Sequence, residues 1–235
     1  MTTSERRRRP GPGDVKGIVV DIDGTLSDSS RRIGLDAISA LRKVNDSGVT
    51  VMLASGNVLP IVYSLATYAG FDGPVIAENG GVVCHKQRVS ILADPEEPRR
   101  AYDHLQRNMK VERLFTDRWR ETEVGIKQET DLDHVRSLLE EFDVDVQSTG
   151  WALHIMQRGM DKFVGVRKAC DLVDLSVGDV AAIGDSENDE LMLTSCGWGV
   201  AVGNAPNHTR NVASYAAERT SGDGVVEALE WLRLL

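Results

Sequence analysis

Short apolar runs that end in polar or acidic residues alternate along most of the chain with stretches whose apolar positions recur at helical spacing. Residues 16–21, Lys-Gly-Ile-Val-Val-Asp, form a β-branched run with no polar face, the pattern of a strand buried on both sides. Ile33, Ala37, Ile38, Leu41 and Val44 follow at helical spacing, and Asp46-Ser47-Gly48 closes that helix. The same reading predicts a strand over 49–54, a helix over 58–68 ending at Gly70, and a short strand over 74–77. Strand and helix in alternation predict a parallel sheet with helices on both faces.

The rhythm changes after Gly81. Strands are predicted in pairs at 82–83 and 89–92, then at 113–115, 123–127, 144–147 and 152–156, with helices over 98–109 and 131–141. The alternation returns with a helix over 162–173, a strand at 180–183, and a helix at 187–195. A strand at 199–202, a helix at 207–214, a strand at 215–217 and a helix at 225–234 complete it. The fold expected is α/β: a Rossmann-like parallel sheet core with helices on both faces, interrupted by an inserted α+β cap domain. Its expected parts are a disordered tail over 1–14, a core over 15–81 and 158–235, and a cap over 82–157. Four arginines followed by Pro10-Gly11-Pro12-Gly13 have nothing to bury, which is the reason for the tail.

Composition narrows the function. A net charge of −9 argues against nucleic acid and anionic membrane surfaces as partners. Three scattered cysteines, Cys84, Cys170 and Cys196, form no disulfide framework or zinc pattern. No stretch is long and apolar enough for a membrane helix, and no apolar segment follows the N-terminal arginines as a secretion signal requires. The expectation is a cytoplasmic protein, monomer or homodimer. Its arginine-rich, lysine-poor composition fits either a salt-adapted organism or GC-rich codon usage.

Candidate chemistry clusters where predicted strands end. Asp21-Ile22-Asp23-Gly24-Thr25 closes the first strand. Ligands of open α/β sheets bind beyond the carboxyl ends of the strands. Two carboxylates so close repel each other, and a divalent cation relieves that conflict; all-oxygen ligands favour Mg2+. Asp21 is then a candidate nucleophile and Asp23 a candidate acid/base. Ser55-Gly56-Asn57 stands at a strand-to-helix junction, where a hydroxyl, a glycine and free helix N–H groups can hold phosphate oxygens, although alone it is also ordinary turn chemistry. Gly184-Asp185-Ser186-Glu187-Asn188-Asp189 places further acids after a buried strand. Lys162 begins a helix, where a cation opposes the dipole and helix propensity does not account for it.

Taken in this order, the four segments resemble the haloacid dehalogenase-like hydrolase superfamily, from about Gly17 onwards. The position of the insert resembles its Cof-like branch. Ser-Gly-Asn-Val at 55–58, Ala-Glu-Asn-Gly-Gly at 77–81 and Gly-Val-Ala-Val-Gly-Asn-Ala at 199–205 resemble the archaeal phosphoglycolate phosphatases within it. That resemblance implies a Mg2+-dependent phosphatase acting on a small phosphate monoester through an aspartyl phosphate on Asp21, with Asp23 as acid/base. Ser55, Gly56, Asn57, Lys162 and Asn188 would bind or position phosphate. Asp21, the Asp23 backbone carbonyl and Asp185 would hold the metal, with Asp189 a ligand or outer partner. The substrate expected is 2-phosphoglycolate. A sucrose-phosphatase-like sugar phosphatase, or a sugar-phosphate mutase, are the alternatives on the same motifs, and a phosphate-storing signalling domain is a third class that Asp23 argues against. Arg118, Arg120 and His154 are candidate contacts for a substrate carboxylate, each equally readable as structural. Trp119 and Trp151 read as packing or cap-interface residues.

Overall fold

The computed structural model describes residues 8–128, 131–149 and 151–235. In chain order the elements are β1 (Gly17–Asp21), α1 (Leu35–Asp46), β2 (Thr50–Ala54), α2 (Leu59–Ala69), β3 (Val75–Ala77), β4 (Val82–His85) and β5 (Arg88–Ile91). Then come α3 (Glu96–Asn108), β6 (Val124–Lys127), α4 (Leu132–Leu138), β7 (Val144–Ser148) and β8 (Ala152–Gln157). The chain closes with α5 (Lys162–Leu172), β9 (Val180–Gly184), α6 (Glu190–Ser195), β10 (Trp198–Ala201), α7 (Asn207–Val212), β11 (Tyr215–Ala216) and α8 (Ser221–Trp231).

Eight strands form the main sheet in the order β11-β10-β9-β1-β2-β3-β4-β5. From β11 to β3 all neighbours are parallel, while β4 and β5 join antiparallel. The apolar runs are continuous because both sheet faces are covered. Ile18, Val20, Val51 and Leu53 point to the face packed by α1, α2 and α8; Val19, Met52 and Ala182 point to the face packed by α5 and α6. The chain leaves β1 in one direction through β2 and β3, and returns to its other side through β9 and β10. The crevice beyond the carboxyl ends of β1 and β9 is therefore the place where strand order reverses, the usual ligand site of such sheets.

A second, antiparallel sheet, β6-β8-β7, carries α3 and α4 and has its own core of Leu105, Ile126, Val135, Leu153 and Ile155. It lies between β5 and α5 in the chain.

Three expectations change. The pair at 82–83 and 89–92 does not belong to the insert: β4 and β5 extend the main sheet, with β4 buried against β3, so the insert begins after β5. Only hydrogen-bond partners separate a core hairpin from a cap hairpin, and these are long-range. The strand predicted at 113–115 is a single bridge, Arg113 to Ile126, followed by a 3-10 turn over Phe115–Trp119. Part of the predicted tail is held down. Pro10 is buried, Arg9 donates to the carbonyls of Trp231 (2.6 Å) and Glu230 (2.8 Å), and the Trp198 indole donates to the Arg8 carbonyl. The open carbonyls at the end of α8 attract that guanidinium. Residues 1–7 of the expected tail lie outside the described residues.

Candidate active site

Parallel pairing brings the ends of β1 and β9 together, and their loops carry the acids. Asp21 ends β1 and is buried. Gly24 follows with φ of +93°, and a Cβ there would stand 2.4 Å from Asp185 Oδ2, so the turn has room only for glycine. Asp185 is oriented from two sides: Thr25 Oγ1 donates to its Oδ1 (2.9 Å) and Asn204 Nδ2 to its Oδ2 (3.1 Å). Asn204 also donates to the Gly24 carbonyl and accepts from the Ser221 N–H, tying the two acidic loops to the start of α8.

Lys162 occupies the middle of the cluster. Asp161 caps α5 by accepting from the N–H groups of Phe163 and Val164, which aims the first residue of the helix inward. The buried Lys162 Nζ donates to Asp21 Oδ1 and to Asp189 Oδ1, both at 2.6 Å. Burial alone would push this ammonium down, but Asp189 and Asp21 outweigh it and hold it above the ordinary lysine range. The other Asp189 oxygen accepts from the N–H groups of Asp185 (3.0 Å) and Ser186 (3.1 Å). Both oxygens of Asp189 are thus committed to fixing Lys162 and the acidic loop.

Asp21, Asp185 and Asp189 each bring an oxygen within 4.8 Å of the others. Asp21 Oδ2 is buried and has no hydrogen-bond partner. Burial, with Asp189 and Asp185 adding to it and Lys162 only partly opposing, holds the Asp21 carboxyl well above its usual range. Burial and then Asp189 push Asp185 up to about 6. An unpartnered buried oxygen among carboxylates that resist ionisation is what a hard divalent cation would satisfy. The residues present fit such an ion, with Asp21 and Asp185 as the open ligands.

Asp23 turns away from this cluster. Its Oδ2 accepts from Asn57 Nδ2 (2.6 Å) and Ser55 Oγ (3.3 Å), so the two acids of the first motif face different partners. The buried Ser55 hydroxyl accepts in turn from the Asn57 N–H (3.0 Å). Asn188 spans from Ser186, whose hydroxyl donates to its Oδ1, to Asn79, whose Oδ1 accepts from its Nδ2.

A cleft of about 390 Å³ lies over these groups, between the main sheet and the inserted domain. Asp21, Asp23, Gly56, Asn57, Lys162 and Asn188 line it from the core. Ser55 and Asp189 are fully buried and Asp185 half-buried beside that lining. From the insert, Arg120, His154 and Trp151 face the cleft, whereas Arg118 instead lies over the Trp119 ring at 5.2 Å. Trp151, expected as a packing or cap-interface residue, is 39% exposed and part of the wall.

Arg120 and His154 are tied into a buried joint. Both meet Glu123 Oε1, Arg120 also donates to the Gly56 carbonyl (3.0 Å), and Glu123 Oε2 accepts from Asn79 Nδ2 (3.0 Å). Burial would raise the Glu123 carboxyl, but His154 and Arg120 reverse that and hold it below its usual range. Next to it, Glu78 accepts from the N–H groups of Glu121 and Thr122 and from the Thr122 hydroxyl. Residue-type reasoning assigned no role to Asn204, Thr25, Glu78 or Asn79. The only available signal was their place in the stretches 21–25, 77–81 and 199–205, because each acts through a partner remote in sequence.

The haloacid dehalogenase-like hydrolase family model matches residues 18–116 and 121–229. A protein named phosphoglycolate phosphatase in Methanothermobacter thermautotrophicus is 36% identical over 215 residues, spanning 92% of this chain and 97% of the relative. One of the same name in Methanococcoides burtonii is 38% identical over 221 residues, 92% and 96% of the two chains. A solved structure from Thermoplasma acidophilum, 29% identical, matches with a TM-score of 0.88 over 94% of this chain and 99% of its own. A haloacid dehalogenase-like hydrolase from Bacteroides thetaiotaomicron, 22% identical, shares the fold with a TM-score of 0.77 over 94% of this chain and 100% of its own.

Proposed function

The chain belongs to the haloacid dehalogenase-like hydrolases, and from that premise we propose that it is a Mg2+-dependent phosphatase that cleaves 2-phosphoglycolate to glycolate and phosphate through an aspartyl phosphate on Asp21. The observation that carries this reading is the buried Asp21 oxygen without a hydrogen-bond partner, set beside Asp185 while Lys162 holds the other oxygen at 2.6 Å.

The Asp21 carboxylate attacks phosphorus in line with the leaving oxygen. Asp23, held by Asn57 and Ser55 apart from the acidic cluster, gives its proton to that oxygen. The ester bond breaks and the alcohol leaves. Water then attacks the phosphorus of the aspartyl phosphate, Asp23 takes the proton, and phosphate departs with Asp21 restored. Lys162, Ser55 and the N–H groups before α2 balance charge on the transferring phosphoryl oxygens. A bound Mg2+, held by Asp21 and Asp185, supplies Lewis-acid stabilisation of phosphoryl charge. The inserted domain roofs the cleft and limits the size of the leaving group.

The test is phosphate release from a panel of small phosphate esters, with excess magnesium and with chelator. Release should need magnesium and be most efficient with 2-phosphoglycolate; a hexose phosphate as best substrate would redirect the reading to sugar phosphates. Asp21→Asn should lower kcat by at least about a thousandfold with an unchanged circular dichroism spectrum. Retained turnover in that variant would reject covalent catalysis at Asp21.

A further inference from the structure

Arg31 lies on the core loop after β1, with φ of +62°, and its guanidinium reaches across the mouth of the cleft. There it stands 4.8 Å from the centre of the Trp151 ring, which the inserted domain presents immediately before β8. Its Nη2 lies 3.7 Å from Asp23 Oδ1, too far for a hydrogen bond. Arg31, Asp23 and Trp151 all line the same cleft.

The other cationic side chains along the described cleft wall are each paired with a buried carboxylate. Lys162 is divided between Asp21 and Asp189. Arg120 is buried, its Nη1 donates to the Gly56 carbonyl and pairs with Glu123, and its Nε, buried with no hydrogen-bond partner, stands 3.7 Å from Asp117. The His154 Nδ1 is committed to Glu123. Arg31, 56% exposed at its side chain and with only a loose pairing, keeps N–H groups to offer a ligand.

Position supplies the second half of the argument. On the reading above, Asp23 protonates the leaving oxygen, so that oxygen lies beside the Asp23 carboxylate. A carboxylate two bonds from the leaving oxygen falls within a few ångströms of it. It must then lie next to whatever cation stands beside Asp23, and that cation is Arg31.

We propose that Arg31, held over the Trp151 ring, is the specificity residue that receives the carboxylate of the leaving group. This rests on the phosphatase reading and extends it: a planar guanidinium matches a carboxylate with two parallel N–H donors. The aromatic face fixes its orientation through a cation–π contact. Because Arg31 belongs to the core and Trp151 to the inserted domain, the receptor is complete only when the two are apposed.

The experiment compares kcat/KM for 2-phosphoglycolate with that for ethyl phosphate, in which a methyl group replaces the carboxylate, in wild type, Arg31→Met, Arg31→Lys and Trp151→Leu. The ratio within each variant cancels general damage to the site. The wild type should favour 2-phosphoglycolate; Arg31→Met should reduce that preference about 10- to 100-fold, the range of a lost charged hydrogen-bond pair. Arg31→Lys should retain part of it, and Trp151→Leu should reduce it by less than Arg31→Met. A preference that persists in Arg31→Met, or a loss equal for both esters, overturns the role of Arg31 while leaving the phosphatase reading intact. A wild type that does not distinguish the esters overturns both carboxylate recognition and the proposal.

Discussion

Lys162 shows how one residue can be inexplicable locally and required globally. At the start of a helix its charge opposes the dipole, yet two carboxylates at 2.6 Å make it the electrostatic centre of the site. The same crowding sets the behaviour of Asp185. Burial and Asp189 push its carboxyl up to about 6 from an ordinary 3.8. Without a cation, the folded protein therefore keeps a proton there that the unfolded chain has lost, and stability falls as pH rises through that interval. Asp185→Asn removes the charge, and the Thr25 hydroxyl can turn to accept from the new amide. The variant should accordingly raise the melting temperature of metal-free protein near pH 7, with the gain shrinking as pH falls below about 6 and vanishing only below the ordinary 3.8, where wild type is protonated in both states. Excess magnesium should reverse the ranking near neutral pH, since only the carboxylate retains the ion. Thermal melts of both proteins across that range, with chelator and with magnesium, check this.

At the scale of elements, close backbone approaches position the chemistry. A Cβ on Gly80, where φ is +100°, would fall 2.0 Å from the Asp161 carbonyl oxygen, and one on Gly165 would meet Ile76 at 2.5 Å and the Gly80 Cα at 2.9 Å. The first turn of α5 thus sits directly on the turn over Glu78–Gly80, and this contact sets how far Lys162 reaches. Gly165→Ala should push α5 outward and lower kcat about 10- to 100-fold, the usual penalty for a displacement near 1 Å. Steady-state kinetics beside a far-ultraviolet circular dichroism spectrum would show it; an unaltered kcat would mean that α5 can shift without moving the ammonium. Element types were legible wherever burial is simple. The runs 18–20 of β1, 51–54 of β2 and 180–183 of β9 are apolar throughout because both faces are covered, and α2 stops at Gly70, whose φ of +81° suits a helix end. Residues 113–115 were not legible: their short apolar run suits a strand, but the pairing stops at one bridge, Arg113 opposite Ile126 with Leu114 N–H on the Gly125 carbonyl, before the chain turns.

For the molecule as a whole, the inserted domain is anchored by buried charge beside a small apolar cluster of Ala93, Met156, Met160 and Val164. Glu123 joins Arg120 and His154 of the insert to Asn79 of the core, and all four are at least nine-tenths buried. Glu123→Ala leaves the buried Arg120 charge with only the Asp117 carboxylate at 3.7 Å, and should cost up to about 3–5 kcal/mol. Urea denaturation should register that loss, and hydrogen exchange should rise over 114–123 with β1 and β9 unchanged; uniform exchange across the chain would contradict a local joint. Periodicity and residue type alone predicted an α/β sheet with an insert and singled out Asp21, Asp23 and Asp185 as candidate chemistry, because buried strands and paired acids leave local patterns; Lys162 became a candidate only beside those motifs. Folding in three dimensions settled the rest: that β4 and β5 complete the core sheet, that Asp23 faces Ser55 and Asn57 while Asp21 faces Lys162, and that Arg31 meets Trp151. Those outcomes depend on contacts between residues far apart in the chain, and no short-range pattern encodes which distant partner a side chain will meet.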